Sequence, residues 1–267
     1  MGIFFSSLES CGIDSMSCTD DVITALLFMP PTDTKQEIRN MSQYNKCKLH
    51  NIQSKDKNII STIEVHPKKQ SAVNKVVIFS HGNASDIYTF YNYLKYFSDT
   101  YVVLVVCYDY IGYGLSSEKK PSEEGCRESL EAVASYYVEK YGANNVVLVG
   151  QSLGTGVVVD YAMENEWSSA ILLISPYKSI PRVIVDIPIE SSFRHNTFKS
   201  LYKIDSLICP VKIVHGKSDE LIPAHHGQYL YDKLTNKSLA PYFVENAGHN
   251  DVLWKIPNYI ILEVLNA

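Results

Sequence analysis

The sequence predicts an α/β fold with a mostly parallel, eight-stranded sheet that carries helices on both faces. Short apolar runs alternate with helical segments along most of the chain, a pattern typical of parallel strands joined by crossover helices. The run from Tyr101 to Tyr108 is nearly continuous in apolar residues, as expected for a strand buried on both faces. A chain of 267 residues, 46% of them hydrophobic, is long enough to build one sizeable core.

The elements follow one another along the chain in a regular order. Segments 46–53 and 59–66 flank a polar turn and predict an antiparallel hairpin. Aromatic residues at helical spacing predict a helix over 86–97, and Ser122, followed by Glu123 and Glu124, predicts the start of a long helix that ends near Tyr141. The other predicted strands are 76–80, 101–108, 146–149, 170–175, 211–216 and 242–245, and the later helices are 223–234 and 251–265.

Composition excludes several classes of function. The net charge is −5, with 24 basic and 29 acidic residues and no basic stripe, so nucleic acid is not an expected partner. The six cysteines are scattered without metal-ligand spacing, which favours free thiols in a reducing, intracellular compartment. The eight histidines show no His-x-x-x-His spacing, so neither a metal nor a cofactor is expected. No membrane-spanning run and no secretory signal are visible.

The motif Gly150-Gln151-Ser152-Leu153-Gly154 joins an apolar run to a helix pattern rich in small residues. Strand, sharp turn and helix are the context that a nucleophile elbow requires. Ser152 is therefore the candidate nucleophile. Backbones crowd at such a turn and leave no room for a side chain, which explains the glycines at Gly150 and Gly154. The N–H of Leu153 is expected to point to the place where an oxyanion forms.

A serine nucleophile needs a general base, and that base needs an acidic partner that fixes its tautomer. Asp219 lies on the loop after strand 211–216 and is the candidate acid, with the adjacent Glu220 as its rival. His249, on the loop before the last helix, is the candidate base because it has the right place in the chain order. His225 and His226 follow Asp219 too closely and are expected on a helix surface. His215 ends a strand and is expected to be a buried group whose hydrogen bonds are satisfied.

The oxyanion hole needs a second backbone N–H from the loop after the strand 76–80. Asn83 is the candidate donor, with Leu153 as its partner, while His81 and Gly82 are expected to shape the loop. Residues 109–114 form a glycine-punctuated loop after the next strand.

The N-terminus predicts a lipid anchor over residues 1–20, ahead of a hydrolase domain over 21–267. Met1-Gly2-Ile3-Phe4-Phe5-Ser6 fits the myristoylation pattern, which would acylate Gly2. One such chain binds a membrane only marginally, and the first 34 residues contain no Lys or Arg, so Cys11 or Cys18 is the expected second acylation site. The alternatives are a disordered tail and an apolar arm packed on the domain.

Six motifs, in order and spacing, resemble the α/β-hydrolase domain-containing protein 17 family, whose members are serine hydrolases that act as protein depalmitoylases. They are 79–84 (FSHGNA), 108–117 (YDYIGYGLSS), 121–123 (PSE), 150–155 (GQSLGT), 214–220 (VHGKSDE) and 247–251 (AGHND). The resemblance runs from about Leu26 to the C-terminus. It implies the α/β-hydrolase fold, a triad of Ser152, Asp219 and His249, and hydrolysis of a palmitoyl thioester on cysteine. Segment 176–207 stands where that fold carries its cap, which would be short here.

The N-terminus departs from the family, whose members carry a dense cysteine cluster there.

Three hypotheses about function remain open. The first is a thioesterase that acts on S-palmitoylated proteins at the cytoplasmic face of a membrane. The second is a lipase or small-ester esterase that uses the same residues on lipid esters, and the third is a catalytically silent interaction module.

Overall fold

The computed structural model describes residues 27–69, 75–184, 186–188 and 197–267, and within them eight strands form one sheet in the order β1-β2-β4-β3-β5-β6-β7-β8. The strands are β1 (Cys47–Gln53), β2 (Ile59–Val65), β3 (Val76–Ser80), β4 (Leu104–Tyr108), β5 (Val146–Gln151), β6 (Ile171–Ile174), β7 (Val211–Gly216) and β8 (Tyr242–Val244). The predicted hairpin is confirmed, since β1 pairs antiparallel with β2. Strand β2 is also antiparallel to β4, and the other neighbouring pairs are parallel.

The α-helices of the described residues are α1 (Lys35–Asn40), α2 (Ile87–Tyr101), α3 (Glu123–Tyr141), α4 (Leu153–Glu164), α5 (Ile180–Ile184), α6 (His225–Lys233), α7 (Val252–Lys255) and α8 (Asn258–Leu265). Side-chain caps fix the start of the two longest. The Asp86 carboxylate accepts the N–H of Thr89 at 2.8 Å, and Ser122 Oγ accepts the N–H of Gly125 at 3.0 Å. These caps satisfy N–H groups that the first helical turn leaves without partners.

Two predicted boundaries are wrong. Tyr101 ends helix α2 instead of opening β4, because the left-handed conformation of Val102 (φ 54°) stops the helix one residue later. The predicted helix 251–265 is two helices, α7 and α8. Ile256 is extended (φ −69°, ψ 122°) because the ring of Pro257 disfavours a helical conformation for the residue before it.

Both faces of the sheet are buried, as the continuous apolar strands predicted. Val76 and Ile78 of β3 belong to a core that includes α3 and α4, whereas Val77 and Phe79 belong to a second core that includes α2 and α8. Successive residues of a strand point to opposite faces. Each fully buried large aliphatic side chain stabilises the fold by about 1.5–3 kcal/mol, so the two cores hold the sheet rigidly beneath its loops.

This topology sets the place of the site. Because β3 to β8 run parallel to one another, the loops that follow them gather at one edge of the sheet. The connection from β6 to β7 contains the five-residue helix α5 and two short turns of 3₁₀ helix at Ser200–Tyr202 and Ile204–Ser206. Among the described residues, no helix has the length and apolar character needed to cross a membrane. The predicted lipidation sites Gly2, Cys11 and Cys18 lie outside the described residues.

Candidate active site

Ser152 occupies a sharp turn between β5 and α4. Its backbone is left-handed in φ (φ 52°, ψ −118°), a conformation that costs about 1–3 kcal/mol for a residue with a side chain. A Cβ atom on Gly150 would lie 2.5 Å from the carbonyl oxygen of Gly154, and one on Gly154 would lie 2.1 Å from that of Ser80. Both distances are shorter than any real contact, so the strained turn closes only with glycine at the two positions.

The structure brings the three predicted triad residues into one hydrogen-bonded chain. His249 Nε2 lies 3.0 Å from Ser152 Oγ, and His249 Nδ1 lies 2.8 Å from Asp219 Oδ2. An ionised carboxylate can only accept, so Nδ1 carries the imidazole proton and the lone pair of Nε2 faces the serine hydroxyl. This is the tautomer that can take the hydroxyl proton.

Asp219 is held as an ion. Its other oxygen, Oδ1, accepts the backbone N–H groups of Leu221 at 3.0 Å and Ile222 at 2.8 Å. Burial alone would raise the pKa of this carboxyl, but the imidazoles of His215 and His249 and the Ile222 N–H hold the pKa well below its usual range. The rival Glu220 is exposed, whereas Asp219 is 5% exposed.

His215 is buried as predicted, although only one of its ring nitrogens has a hydrogen-bond partner among the described residues. It also supports the turn that carries the acid, which the sequence did not indicate. Its buried Nε2 lies 2.7 Å from the carbonyl oxygen of Ile222, to which it donates, and 3.5 Å from Asp219 Oδ2. Within the described residues its Nδ1 has no hydrogen-bond partner. The only available signal was its position at the end of β7, immediately before the loop of Asp219.

The predicted oxyanion donors belong to two turns that border Ser152. Leu153 is the first residue of α4, so its N–H has no acceptor within the helix. The turn after β3 borders the same space, since a Cβ atom on Gly82 would lie 3.6 Å from the Cβ of Ser152. Asn83 Oδ1 accepts the Met29 N–H at 2.8 Å and the Tyr113 hydroxyl at 3.0 Å. The Asn83 carboxamide oxygen therefore holds the turn, and the backbone N–H of Asn83 is the predicted oxyanion donor.

His81 shapes this turn and is unsuited to act as a base. It is completely buried, its Nδ1 lies 2.8 Å from the carbonyl oxygen of Gly82, and burial lowers its pKa to about 4. The hydroxyl of Tyr110 donates to the His81 carbonyl at 2.7 Å. The tyrosines of the loop 109–114 thus contact the turn, although the sequence indicated only that this loop contains glycines.

A second group of ionisable side chains lies outside the triad. Ligand atoms of Asp186, His225 and His226 fall within 4.8 Å of one another. The Asp186 carboxylate already pairs with the ammonium of Lys178, whose Nζ lies 2.7 Å from Oδ2. His225 is exposed as expected, but His226 is buried, so the expected surface position is wrong for that residue. Its Nδ1 accepts the backbone N–H of Lys178 at 3.3 Å, and burial lowers its pKa to about 4.

Comparisons with known proteins identify the family and the fold of this chain. Residues 75–185 match the family model described as the alpha/beta hydrolase fold. The chain is 40% identical to a protein named alpha/beta hydrolase L404 of Acanthamoeba polyphaga mimivirus, over 100% of this chain and 99% of the relative. It is 36% identical to alpha/beta hydrolase domain-containing protein 17C of Xenopus tropicalis over 66% of this chain, and the match spans 56% of that protein's length.

Among solved structures, the esterase Pf2001 of Pyrococcus furiosus superposes with a TM-score of 0.67 at 16% identity, covering 90% of this chain and 96% of the esterase. At that identity the likeness concerns the fold alone. The resemblance of the six motifs to the protein 17 family is confirmed by the match to 17C. Because a relative of the same length is 40% identical from end to end, the chain belongs to the α/β-hydrolase family.

Proposed function

We propose that the protein is a serine hydrolase that cleaves palmitoyl thioesters from protein cysteines at the cytoplasmic face of a membrane. The observation that carries the hydrolase chemistry is the continuous hydrogen-bonded chain from Ser152 through His249 to Asp219. The thioester substrate is supported by the resemblance of the six motifs to the protein 17 family. Within the described residues the nucleophile, the base and the acid all lie at the carboxyl edge of the sheet.

Acylation begins when His249 Nε2 removes the proton of Ser152 Oγ as this oxygen attacks the thioester carbonyl carbon. Asp219 stabilises the imidazolium that results, because its carboxylate accepts a hydrogen bond from Nδ1–H. The backbone N–H groups of Leu153 and Asn83 bind the carbonyl oxygen as it becomes negative. The C–S bond then breaks and the cysteine leaves as a thiolate. The proton held by His249 passes to this thiolate, directly or through solvent, so the product is a thiol and the imidazole is neutral again.

Deacylation uses the same residues with water as the nucleophile. His249 takes a proton from water, the resulting hydroxide attacks the acyl carbon, and the oxyanion is again held by the two N–H groups. When the intermediate collapses, the proton returns from His249 to Ser152 Oγ and palmitate leaves. The free enzyme is thereby restored, and the net reaction is thioester plus water to fatty acid plus thiol.

A fluorophosphonate probe tests the nucleophile directly, because it forms a covalent bond with an activated serine. Wild-type protein should be labelled and Ser152→Ala should not. Ser175→Ala is a matched control, since Ser175 is also buried with positive φ (51°) but its hydroxyl has no hydrogen-bond partner among the described residues. Labelling of Ser152→Ala, or no labelling of the folded wild type, would support a silent module and refute the proposal.

The substrate class is tested by comparing kcat/KM for a palmitoylated peptide and for a monoacylglycerol. We expect the peptide to be preferred. A preference for the glycerolipid by a factor of ten, about 1.4 kcal/mol in transition-state stabilisation, would instead identify the enzyme as a lipase.

The membrane attachment is a separate part of the proposal and concerns residues outside the described ranges. Gly2→Ala removes the acceptor for myristate, so the protein should move from the membrane fraction to the soluble fraction of a cell extract. Gly12→Ala is the matched control, because it changes a glycine of the same segment without altering the acylation pattern. Unchanged partition of Gly2→Ala would refute the myristoyl anchor while leaving the hydrolase untouched.

A further inference from the structure

The glycine-punctuated loop that follows β4 contains two tyrosines with no part in the chemistry described so far. Tyr110 and Tyr113 are 0% and 1% exposed. A buried tyrosine hydroxyl needs a hydrogen-bond partner, so the partner indicates what each hydroxyl holds in place. Both partners lie on the turn between β3 and α2, which carries the proposed oxyanion donor.

The two hydroxyls bind the residues on either side of Gly82. Tyr110 donates to the backbone carbonyl of His81 at 2.7 Å, and its ring centroid lies 4.3 Å from that of the His81 imidazole. Tyr113 donates to Asn83 Oδ1 at 3.0 Å. The turn is thus anchored once through its backbone and once through its side chain, immediately before and immediately after the glycine that borders Ser152.

The shape of the loop serves this contact. Gly112 and Gly114 have positive φ angles of 90° and 49°. A Cβ atom on Gly114 would lie 1.9 Å from the Asp109 carboxylate, so only glycine permits that approach. Asp109 Oδ1 in turn accepts the N–H of Ile87 at 3.0 Å, which fixes the first residue of α2. The loop therefore braces the turn at both ends.

We propose that Tyr110 and Tyr113 are positioning residues of the oxyanion hole, which set the Asn83 N–H against the space beside Ser152. The inference rests on the proposed function, since it concerns the same site. Neither tyrosine touches the reacting atoms. Each acts through the turn, and an oxyanion donor that is displaced stabilises the transition state less while leaving the acyl substrate bound as before.

The test uses Tyr110→Phe and Tyr113→Phe, each of which removes one oxygen and keeps the ring. Tyr137→Phe is the matched control, because Tyr137 is equally buried and its hydroxyl donates to Glu64 Oε1 at 2.9 Å, on β2 and outside the proposed machinery. Hydrolysis of p-nitrophenyl octanoate gives kcat and KM. The inhibition constants of an octyl trifluoromethyl ketone, whose adduct carries an oxyanion, and of octanoate, which forms no adduct, are measured for the same variants.

We expect kcat to fall about tenfold or more in Tyr110→Phe and less in Tyr113→Phe, with KM within about twofold of wild type. The inhibition constant of the ketone should rise in parallel with the loss of kcat/KM, while that of octanoate stays constant. Tyr137→Phe should match wild type in all four quantities. Thermal unfolding of each variant reports whether it is folded at the assay temperature.

A merely structural role would lower the melting temperature without moving kcat or the ketone constant, and that result would overturn the inference. A parallel rise in the octanoate constant would also overturn it, because the acyl pocket and not the oxyanion hole would have changed. A wild type that hydrolyses the ester but no palmitoyl thioester would refute only the proposed substrate. A folded wild type that hydrolyses neither would refute the proposed function and this inference together.

Discussion

Asp219 and Asp109 are the same residue type, buried at the same edge of the sheet, and they differ in charge. Asp219 accepts hydrogen bonds from the His249 imidazole and from two backbone N–H groups, and its pKa lies well below the usual range despite its burial. Burial, with Asp86 nearby, raises the pKa of Asp109 to about 8, against the smaller effect of the Ile87 and Leu115 N–H groups. Asp109 Oδ2 has no hydrogen-bond partner among the described residues.

The difference shows that hydrogen bonds from imidazoles, added to those from backbone N–H groups, can offset the effect of burial on the pKa of a carboxyl at this edge. Both side chains are 5% exposed or less. Asp219 has its carboxylate oxygens satisfied, so the ion is stable there, whereas the neutral acid is favoured at Asp109. The imidazoles beside the two carboxyls also differ. His249 faces the ionised Asp219, whereas His81, whose Nε2 lies 3.8 Å from Asp109 Oδ1, has a pKa lowered by burial to about 4. The loop of Asp219 carries the charged carboxylate of the proposed triad, whereas the loop of Asp109 carries a neutral carboxyl that supports the fold.

The largest expected effect comes from exchanging the charged acid for its neutral isostere. Asp219→Asn should lower kcat by about 10³–10⁴, because an amide can donate to Nδ1 and so favours the wrong imidazole tautomer. Asp109→Asn makes the same exchange at a carboxyl that is already neutral, and the new side chain keeps an oxygen that can accept the Ile87 N–H. The kcat of this variant should therefore stay within about threefold of wild type. Steady-state hydrolysis of a p-nitrophenyl ester at pH 7 measures both variants. Equal losses in the two would show that the comparison is wrong.

Local sequence was sufficient to place the triad residues together. The elbow at Ser152 is a five-residue motif, and the positions of Asp219 and His249 follow from strand ends, which the apolar runs mark clearly. Their side chains meet because parallel strands end at one edge. The break before Pro257 was also signalled, since proline restricts the residue that precedes it, but the apolar pattern that continues on both sides hid it.

The contacts that brace the site could not be predicted in the same way. Tyr110 and His81 are 29 positions apart, and their hydrogen bond depends on the register of two neighbouring loops. No periodic pattern in the sequence indicates how these two loops are aligned. The burial of His226 was missed for a similar reason, because what covers it is the segment around Lys178, which comes from a different part of the chain. Residues that act on reacting atoms carry motif signals, whereas residues that hold those motifs in place need the tertiary structure.

A smaller effect is expected in the pH dependence of stability, where Asp109 should act in the opposite direction to an ordinary acid. Its folded pKa of about 8 is above the ordinary value of 3.8, so the folded state binds a proton that the unfolded state releases. The free energy of unfolding of wild type should therefore fall as pH rises from about 5 to 8, by up to about 1.4 kcal/mol per pH unit relative to Asp109→Asn.

Urea unfolding of Asp109→Asn and wild type at pH 5, 6, 7 and 8 measures this difference. The two proteins should be closest in stability at pH 5, and the free energy of unfolding of the variant should increase relative to that of wild type with each increase in pH. Parallel curves would mean that Asp109 is ionised in the folded protein at neutral pH, which would remove the contrast with Asp219.

The smallest expected effect concerns Glu64, a third buried carboxyl, which lies on β2 and forms no hydrogen bond or ion pair with the triad within the described residues. Burial would raise its pKa, but hydrogen bonds with His66 and Tyr137, together with the nearby ammonium groups of Lys48 and Lys140, lower it to about 2. As at Asp219, hydrogen-bond donors stabilise the ionised carboxylate of Glu64. Its contribution to stability is complete above the ordinary pKa of 4.5 and is lost as pH falls from there towards 2. Glu64→Gln should thus be less stable than wild type by about 1–2 kcal/mol at pH 7, and the gap should be clearly smaller at pH 3. Melting temperatures of both proteins between pH 3 and 7 measure the gap, with p-nitrophenyl ester hydrolysis at pH 7 unchanged as the control. A gap that is constant over this range would show that Glu64 is neutral in the folded protein, and that its hydrogen-bond donors do not offset burial as those of Asp219 do.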